Sequence, residues 1–150
     1  IIGKAGRHIQ RKDALEHIAG YSIFMDGSIR DFQFQHSLTA GKNFYNTGSF
    51  GPYFVTSDEI KDPSLLELRT RLNGIEVQHT KTDDLIFDIP YLIEYISSYT
   101  ELLPGDMIAT GTPEGVGFAR NPPLWLKPGD QLEVEISNLG ILQNTVELEV

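Results

Sequence analysis

Apolar positions recur along this chain in two rhythms, a period of two that marks strands and a period near three and a half that marks helices. From Tyr21 to Asp26 the alternation puts Tyr21, Ile23 and Met25 on one face and Ser22, Phe24 and Asp26 on the other. Asp26 is therefore expected at a strand end. Leu66 to Leu72 and Ile75 to Gln78 flank Asn73-Gly74, a dipeptide suited to the tight turn of a β-hairpin. Tyr53 to Thr56 reads as a short strand, Leu132 to Ile136 as another, and Ile141 to Asn144 with Thr145 to Val150 as a closing meander after Gly140.

Helical spacing occurs twice. Lys12 to Ala19 carries Leu15, Ile18 and Ala19 and stops at Gly20. Ile89 to Tyr99 sets Leu92, Ile93, Ile96 and Tyr99 on one stripe, with Asp88 as N-cap and Pro90 tolerated in the first turn. Leu103-Pro104-Gly105-Asp106, leading into Met107 to Ala109, and Lys127-Pro128-Gly129-Asp130 suit type II turns that need a positive φ at glycine. Gly27 to Pro52 is polar, glycine-bearing and aperiodic, as a functional loop reads. The pattern predicts an α+β fold, mostly β, on antiparallel or mixed sheets with two or so short helices.

Composition sharpens this outline. A chain of 150 residues, 40% of them hydrophobic, suffices for one core and predicts one domain over 1–150. It holds no apolar run of about 18 residues, so no membrane partner is expected. Zero cysteines remove disulfides and thiolate chemistry and suit the cytoplasm. A net charge of −9 argues against nucleic acid. An anionic small substrate would then need local cations, either a bound ion or a few basic side chains. Ile1 in place of an initiator Met suggests that an upstream piece is missing.

The densest polar constellation is Asp26-Gly27-Ser28-Ile29-Arg30-Asp31-Phe32-Gln33. A strand-end carboxylate can ligate Mg²⁺, and a nearby arginine can fork onto a substrate carboxylate. Turn-capping by Asp26 and Asp31, paired with Arg30, accounts for the same residues. Thr110-Gly111-Thr112-Pro113-Glu114-Gly115-Val116-Gly117 can bring amides and hydroxyls to an anion or serve as a plain surface turn. Lys42 is either a solvated lysine or a charge that stabilises an enolate. Glu133/Glu135 and Glu147/Glu149 alternate with apolar residues and read as solvated strand faces. The four histidines lack metal-ligand spacing.

Taken in order, these residues resemble the fumarylacetoacetate hydrolase superfamily. The resemblance rests on Asp26-x-Ser28-x-Arg30-Asp31-x-Gln33, Gly41-Lys42-x-Phe44, Gly51-Pro52, Asn73-Gly74 and Thr82-x-Asp84-x-Ile86-Phe87. It continues through Leu103-x-Gly105-Asp106, Thr110-Gly111-Thr112-Pro113-x-Gly115-Val116-Gly117 and Lys127-Pro128-Gly129-Asp130. It implies a mixed β roll or compressed barrel, usually assembled as a homodimer. It also implies a divalent cation, Mg²⁺ or else Mn²⁺ or Ca²⁺, held by Asp26 and by an upstream Glu-x-Glu pair that would precede Ile1.

The family pattern further implies that Arg30 and Gln33 line the substrate pocket as catalytic and substrate-binding residues, and that catalytic Lys42 stabilises enolate charge. Thr112 would contact the carboxylate of a small 2-oxo acid. The expected reaction is hydrolysis of a C–C bond in an acylpyruvate or β-diketo acid such as fumarylpyruvate or fumarylacetoacetate, through a metal-chelated enolate. Isomerisation or decarboxylation of a hydroxylated dienedioate in aromatic breakdown is the alternative, and a non-catalytic domain of the same fold is the third.

Overall fold

The structure, a computed structural model, describes residues 1–149. Strand β1 (Gly20–Asp26) pairs antiparallel with β2 (Gly48–Thr56). Four further strands, β3 (Glu67–Leu72), β4 (Ile75–Lys81), β5 (Gln131–Ile136) and β6 (Gly140–Thr145), form an antiparallel sheet in the order β4-β3-β5-β6. Helices α1 (Arg30–Gln35) and α2 (Leu38–Lys42) lie between β1 and β2, and α3 (Ile89–Tyr99) lies between β4 and β5. The α+β, mostly β class read from the sequence is the class observed.

Alternation decides what the sheets bury. Ile23 on β1 is fully buried with Val134 of β5 and Leu142 of β6, together with Ile60, Leu66 and Leu139. Phe24, the next residue, faces outward with its cross-strand partner Phe50. A second cluster gathers Ile2, Ile9, Ala14, Ile18 and Leu102 around Ile93 of α3, and Tyr21 packs against both. Burying a side chain the size of Ile93 contributes roughly 2–3 kcal/mol.

Local chemistry sets the boundaries. Asn73 and Gly74 take φ of 52° and 79°, the pair of left-handed residues that a two-residue hairpin turn requires. The Asp88 carboxylate accepts from Tyr91 N at 2.8 Å and starts α3. In the two Pro-Gly turns the glycines have φ of 95° and 91°. Asp106 and Asp130 accept from Leu103 N and Lys127 N, each at 2.7 Å.

Several expectations are corrected. Gly27 to Pro52 is not one loop: it holds α1, α2 and the first half of β2, helices too short to show a period. The first helix is a 3₁₀ segment over Arg11–His17, and Gly20 opens β1 rather than ending that helix. On α3 the second fully buried side chain is Ser97, four residues after Ile93. Tyr99 instead extends an exposed ladder with Phe87, Tyr91 and Tyr95. Met107 to Ala109 has no strand pairing, and the closing meander is the single strand β6. Val150 lies outside the described residues. Glu133 and Glu135 are not simply solvated, because register sets Arg71 opposite Glu133. Arg71 reaches Glu135 at 2.7 Å and Glu133 at 4.0 Å.

Candidate active site

Asp26 closes β1 on the outward face that also carries Phe24. The chain then doubles back through α1 and α2. Two features hold these helices together. Gly41 is buried so tightly that an added Cβ would lie 2.7 Å from the Gln33 Cβ, and Phe32 meets Phe44 edge-on at 4.7 Å. Ile29 N donates to Gly41 O at 2.8 Å, and the Ser37 hydroxyl caps α2 by accepting from Ala40 N.

The consequence is the position of Lys42, the last residue of α2. Its ammonium donates to the Asp26 carboxylate and, at 3.3 Å, to Ser28 Oγ. Both charged side chains remain about one-third exposed (28% for Lys42 and 36% for Asp26), so solvent reaches the pair. On α1, Arg30 Nη1 donates to Gln33 Oε1 at 2.7 Å, one helical turn away. Of the residues proposed from sequence, Asp26 with Lys42 and Arg30 with Gln33 are thus directly joined. Gly41 brings the two pairs side by side.

Thr112 is held from a different direction. Its loop leaves no room between Gly115 and the Val77 carbonyl of β4, and Gln78 Nε2 on the same strand donates to Thr112 Oγ1 at 3.1 Å. Phe118, six residues further on, stacks obliquely on Phe34 of α1 at 5.2 Å and lies 5.5 Å beneath the Arg30 guanidinium. The loop that bears Thr112 is therefore tied to the helix that bears Arg30. The sequence does not single out Gln78 or Phe118, since a glutamine on a strand and a phenylalanine after a glycine-rich loop carry no spacing signal.

One carboxylate is a partial donor set for a hard cation. Among the described residues no three His, Asp or Glu side chains converge to hold an ion, and Asp26 alone offers at most two oxygens where Mg²⁺ or Ca²⁺ takes six or more.

A mainly apolar recess lies outside this cluster. Its volume is about 290 Å³, and Ile1, Tyr21 and Phe24 of β1, Met107 and Ala109 are among the residues that line it. Neither Asp26 nor Lys42 lines it. The backbone around Ile1 is already sheet-like. Ile1 N donates to Gly20 O and Ala19 N to Ile1 O, both at 2.9 Å. On the other side Ile2 N donates to Asp106 O at 2.8 Å and Gly105 N to Ile2 O at 2.9 Å. Both pairings are antiparallel, as in the bridges Ile2↔Ile18 and Gly6↔Leu102. No helix among the described residues is long and apolar enough to cross a membrane.

Comparison with known proteins supplies the family. The family model for the fumarylacetoacetate (FAA) hydrolase C-terminal domain matches residues 1–147. The mitochondrial oxaloacetate tautomerase FAHD2A of Homo sapiens is 41% identical over 149 residues, covering 97% of this chain and 48% of that protein. The chain thus spans about half the length of the curated relatives it matches. Among solved structures, a fumarylacetoacetate hydrolase from psychrophilic Exiguobacterium antarcticum superposes with a TM-score of 0.96 at 40% identity, over 99% of this chain and 54% of that one. Fumarylpyruvate hydrolase from Pseudomonas aeruginosa, solved with Mn²⁺ and pyruvate, gives 0.89 at 31% identity, over 99% and 62%. A motif series running from Asp26 to Asp130, a matching fold and a family match over nearly every residue agree: this chain belongs to the fumarylacetoacetate hydrolase family.

Proposed function

We propose that residues 1–150 form the catalytic domain of an enzyme that enolises a small 2-oxo acid, and that its reaction is keto–enol tautomerisation of an oxaloacetate-like diacid. The observation that carries this reading is the Lys42 ammonium held between the Asp26 carboxylate and Ser28 Oγ. Tautomerisation moves one proton between C3 and the 2-oxygen and breaks no bond between heavy atoms. Its main demand is stabilisation of the negative oxygen that develops as C3 loses its proton. A positioned ammonium meets that demand, and groups of this kind contribute about 3–4 kcal/mol.

A diacid brings two negative charges to a chain whose own net charge is −9. Arg30 supplies a fork for one carboxylate, its orientation set by the bond to Gln33. Gln33 would line the same substrate site, and the Thr112 hydroxyl would donate to the carboxylate next to the 2-oxo group.

Asp26 would hold a divalent cation, Mg²⁺ or else Mn²⁺, which as a Lewis acid polarises the 2-oxo group. The family resemblance implies further ligands, a Glu-x-Glu pair whose two carboxylates, at alternate positions of a strand, would join Asp26.

Tautomerase chemistry is favoured by the 41% identity to a protein named oxaloacetate tautomerase. Hydrolysis of a C–C bond is the second reading, favoured by the likeness to fumarylpyruvate hydrolase. It shares the enolate but also needs a water activated for attack. Offering oxaloacetate enol and fumarylpyruvate separately, and following the loss of enol absorbance with and without Mg²⁺, distinguishes them. Faster ketonisation of oxaloacetate, with Lys42→Ala suppressing it, supports the first. Cleavage of fumarylpyruvate alone selects the second, and turnover unaffected by Lys42→Ala overturns the site.

A further inference from the structure

We infer that Gln78 is a positioning residue that sets the place of the Thr112 hydroxyl, acting with Arg120 as a clamp between strand β4 and the 110–117 loop. The inference rests on the reading of Thr112 as a substrate contact and extends it to residues outside the pocket.

The β3–β4 hairpin is irregular at Val77. Thr70 pairs with Gln78 but Arg71 pairs with Glu76, so Val77 has no partner on β3. An extra residue of this kind bends a strand and re-aims the groups beside it. β4 is also the edge of its sheet, where backbone groups without a strand partner must find other partners. Here the Val77 carbonyl accepts from Arg120 Nη2, while Arg120 Nε donates to Gly115 O at 2.9 Å. One guanidinium thereby ties the bulge to the far end of the loop. Gly115 has φ of 93°, and a Cβ there would collide with the Val77 carbonyl.

The Gln78 amide does the rest. Its Nε2 lies 3.1 Å from Thr112 Oγ1, 3.1 Å from Pro113 O and 3.3 Å from Glu114 O. Residues 110–116 have no helix or strand of their own, so these contacts substitute for a ladder. An amide nitrogen has hydrogens to give and no lone pair to offer. With Nε2 donating, Thr112 Oγ1 accepts from Gln78 and its own hydrogen is left to point away, toward an anion. A glutamate of the same shape would set a negative acceptor against three oxygens and reverse that preference.

Two measurements on the full chain test this. Hydrogen exchange of the 110–116 amides needs no turnover, and it should quicken by about tenfold in Gln78→Leu and in the isosteric Gln78→Glu, consistent with loss of about one hydrogen bond's worth of protection. Steady-state kinetics should show KM for the 2-oxo acid raised by about tenfold with kcat changed less than threefold. Thr112→Val should raise KM similarly, and the double variant should be no worse than the poorer single one. Unchanged exchange in both variants overturns the clamp. Faster exchange with unchanged KM, or additive effects in the double variant, overturns the positioning of Thr112. Faster exchange in a protein that turns over no 2-oxo acid supports the clamp and retires the proposed reaction instead.

Discussion

The ammonium of Lys42 rests on the carboxylate of Asp26 across sixteen residues of chain, because a buried glycine lets α2 lie against α1. The pair is partly exposed, so its contribution to folding is small, at most about 1 kcal/mol. Its use is chemical. Lys42→Met should lower kcat by about 10²–10³-fold while the melting temperature stays within about 2 °C. Enzyme assay and thermal unfolding of the same samples check both halves. An inactive variant that has also lost several degrees would mean that Lys42 is structural.

Ser97 is fully buried on α3, and its Oγ accepts from Ile9 N at 3.0 Å and donates to Glu94 O at 3.1 Å. Ile9 N belongs to the segment that carries Ile1 and Ile2, so this hydroxyl fastens that segment to the helix. Ser97→Ala strands a buried N–H and should cost about 1–3 kcal/mol. Denaturant unfolding measures it, and a loss below about 0.5 kcal/mol would mean that Ile9 N finds another acceptor.

Arg11 pairs with Asp88 at 2.6 Å, joining the first 3₁₀ segment to the cap of α3. The hydrogen bond from Arg11, and after it the one from Tyr91 N, hold the Asp88 carboxyl below its usual 3.8. A carboxyl lowered on folding stabilises the native state above its unfolded value and loses that contribution as pH falls through the lowered one. Asp88→Asn keeps a capping oxygen but not the ion pair. It should melt about 1–2 °C below the parent at neutral pH, and the two curves should converge as pH falls through the lowered carboxyl value. A constant gap at every pH would refute the electrostatic origin.

Much of the fold was legible because its signals are local. Asn73-Gly74 dictates a hairpin by backbone sterics, Asp88 caps a helix three residues ahead, and alternation from Tyr21 to Asp26 sets which side chains face out. The segment after Asp26 was opaque for an equally physical reason. Helices of five and six residues have no period to read, and what fixes them is tertiary: the Gly41 approach to Gln33 and the Phe32–Phe44 contact. The site divides in the same way. Asp26, Arg30, Gln33, Lys42 and Thr112 could be nominated from a family motif, whereas Gln78 depends on a bulge whose register only the folded hairpin defines.

Metal affinity should depend on carboxylates beyond Asp26. A lone carboxylate with water completing the shell binds divalent ions weakly, at about millimolar or worse, whereas sites with several anionic oxygens reach about micromolar and below. The 150-residue chain alone should therefore bind Mn²⁺ with a Kd near or above about 1 mM. Joined to a segment that carries the Glu-x-Glu pair the family resemblance implies, it should bind at least about tenfold more tightly. Asp26→Ala should abolish the gain. Mn²⁺ electron paramagnetic resonance reads free ion directly and needs no turnover, so it separates ligation from catalysis. Tight Mn²⁺ binding that survives Asp26→Ala would place the ion elsewhere, and with it the charge that the Lys42 cluster is proposed to serve.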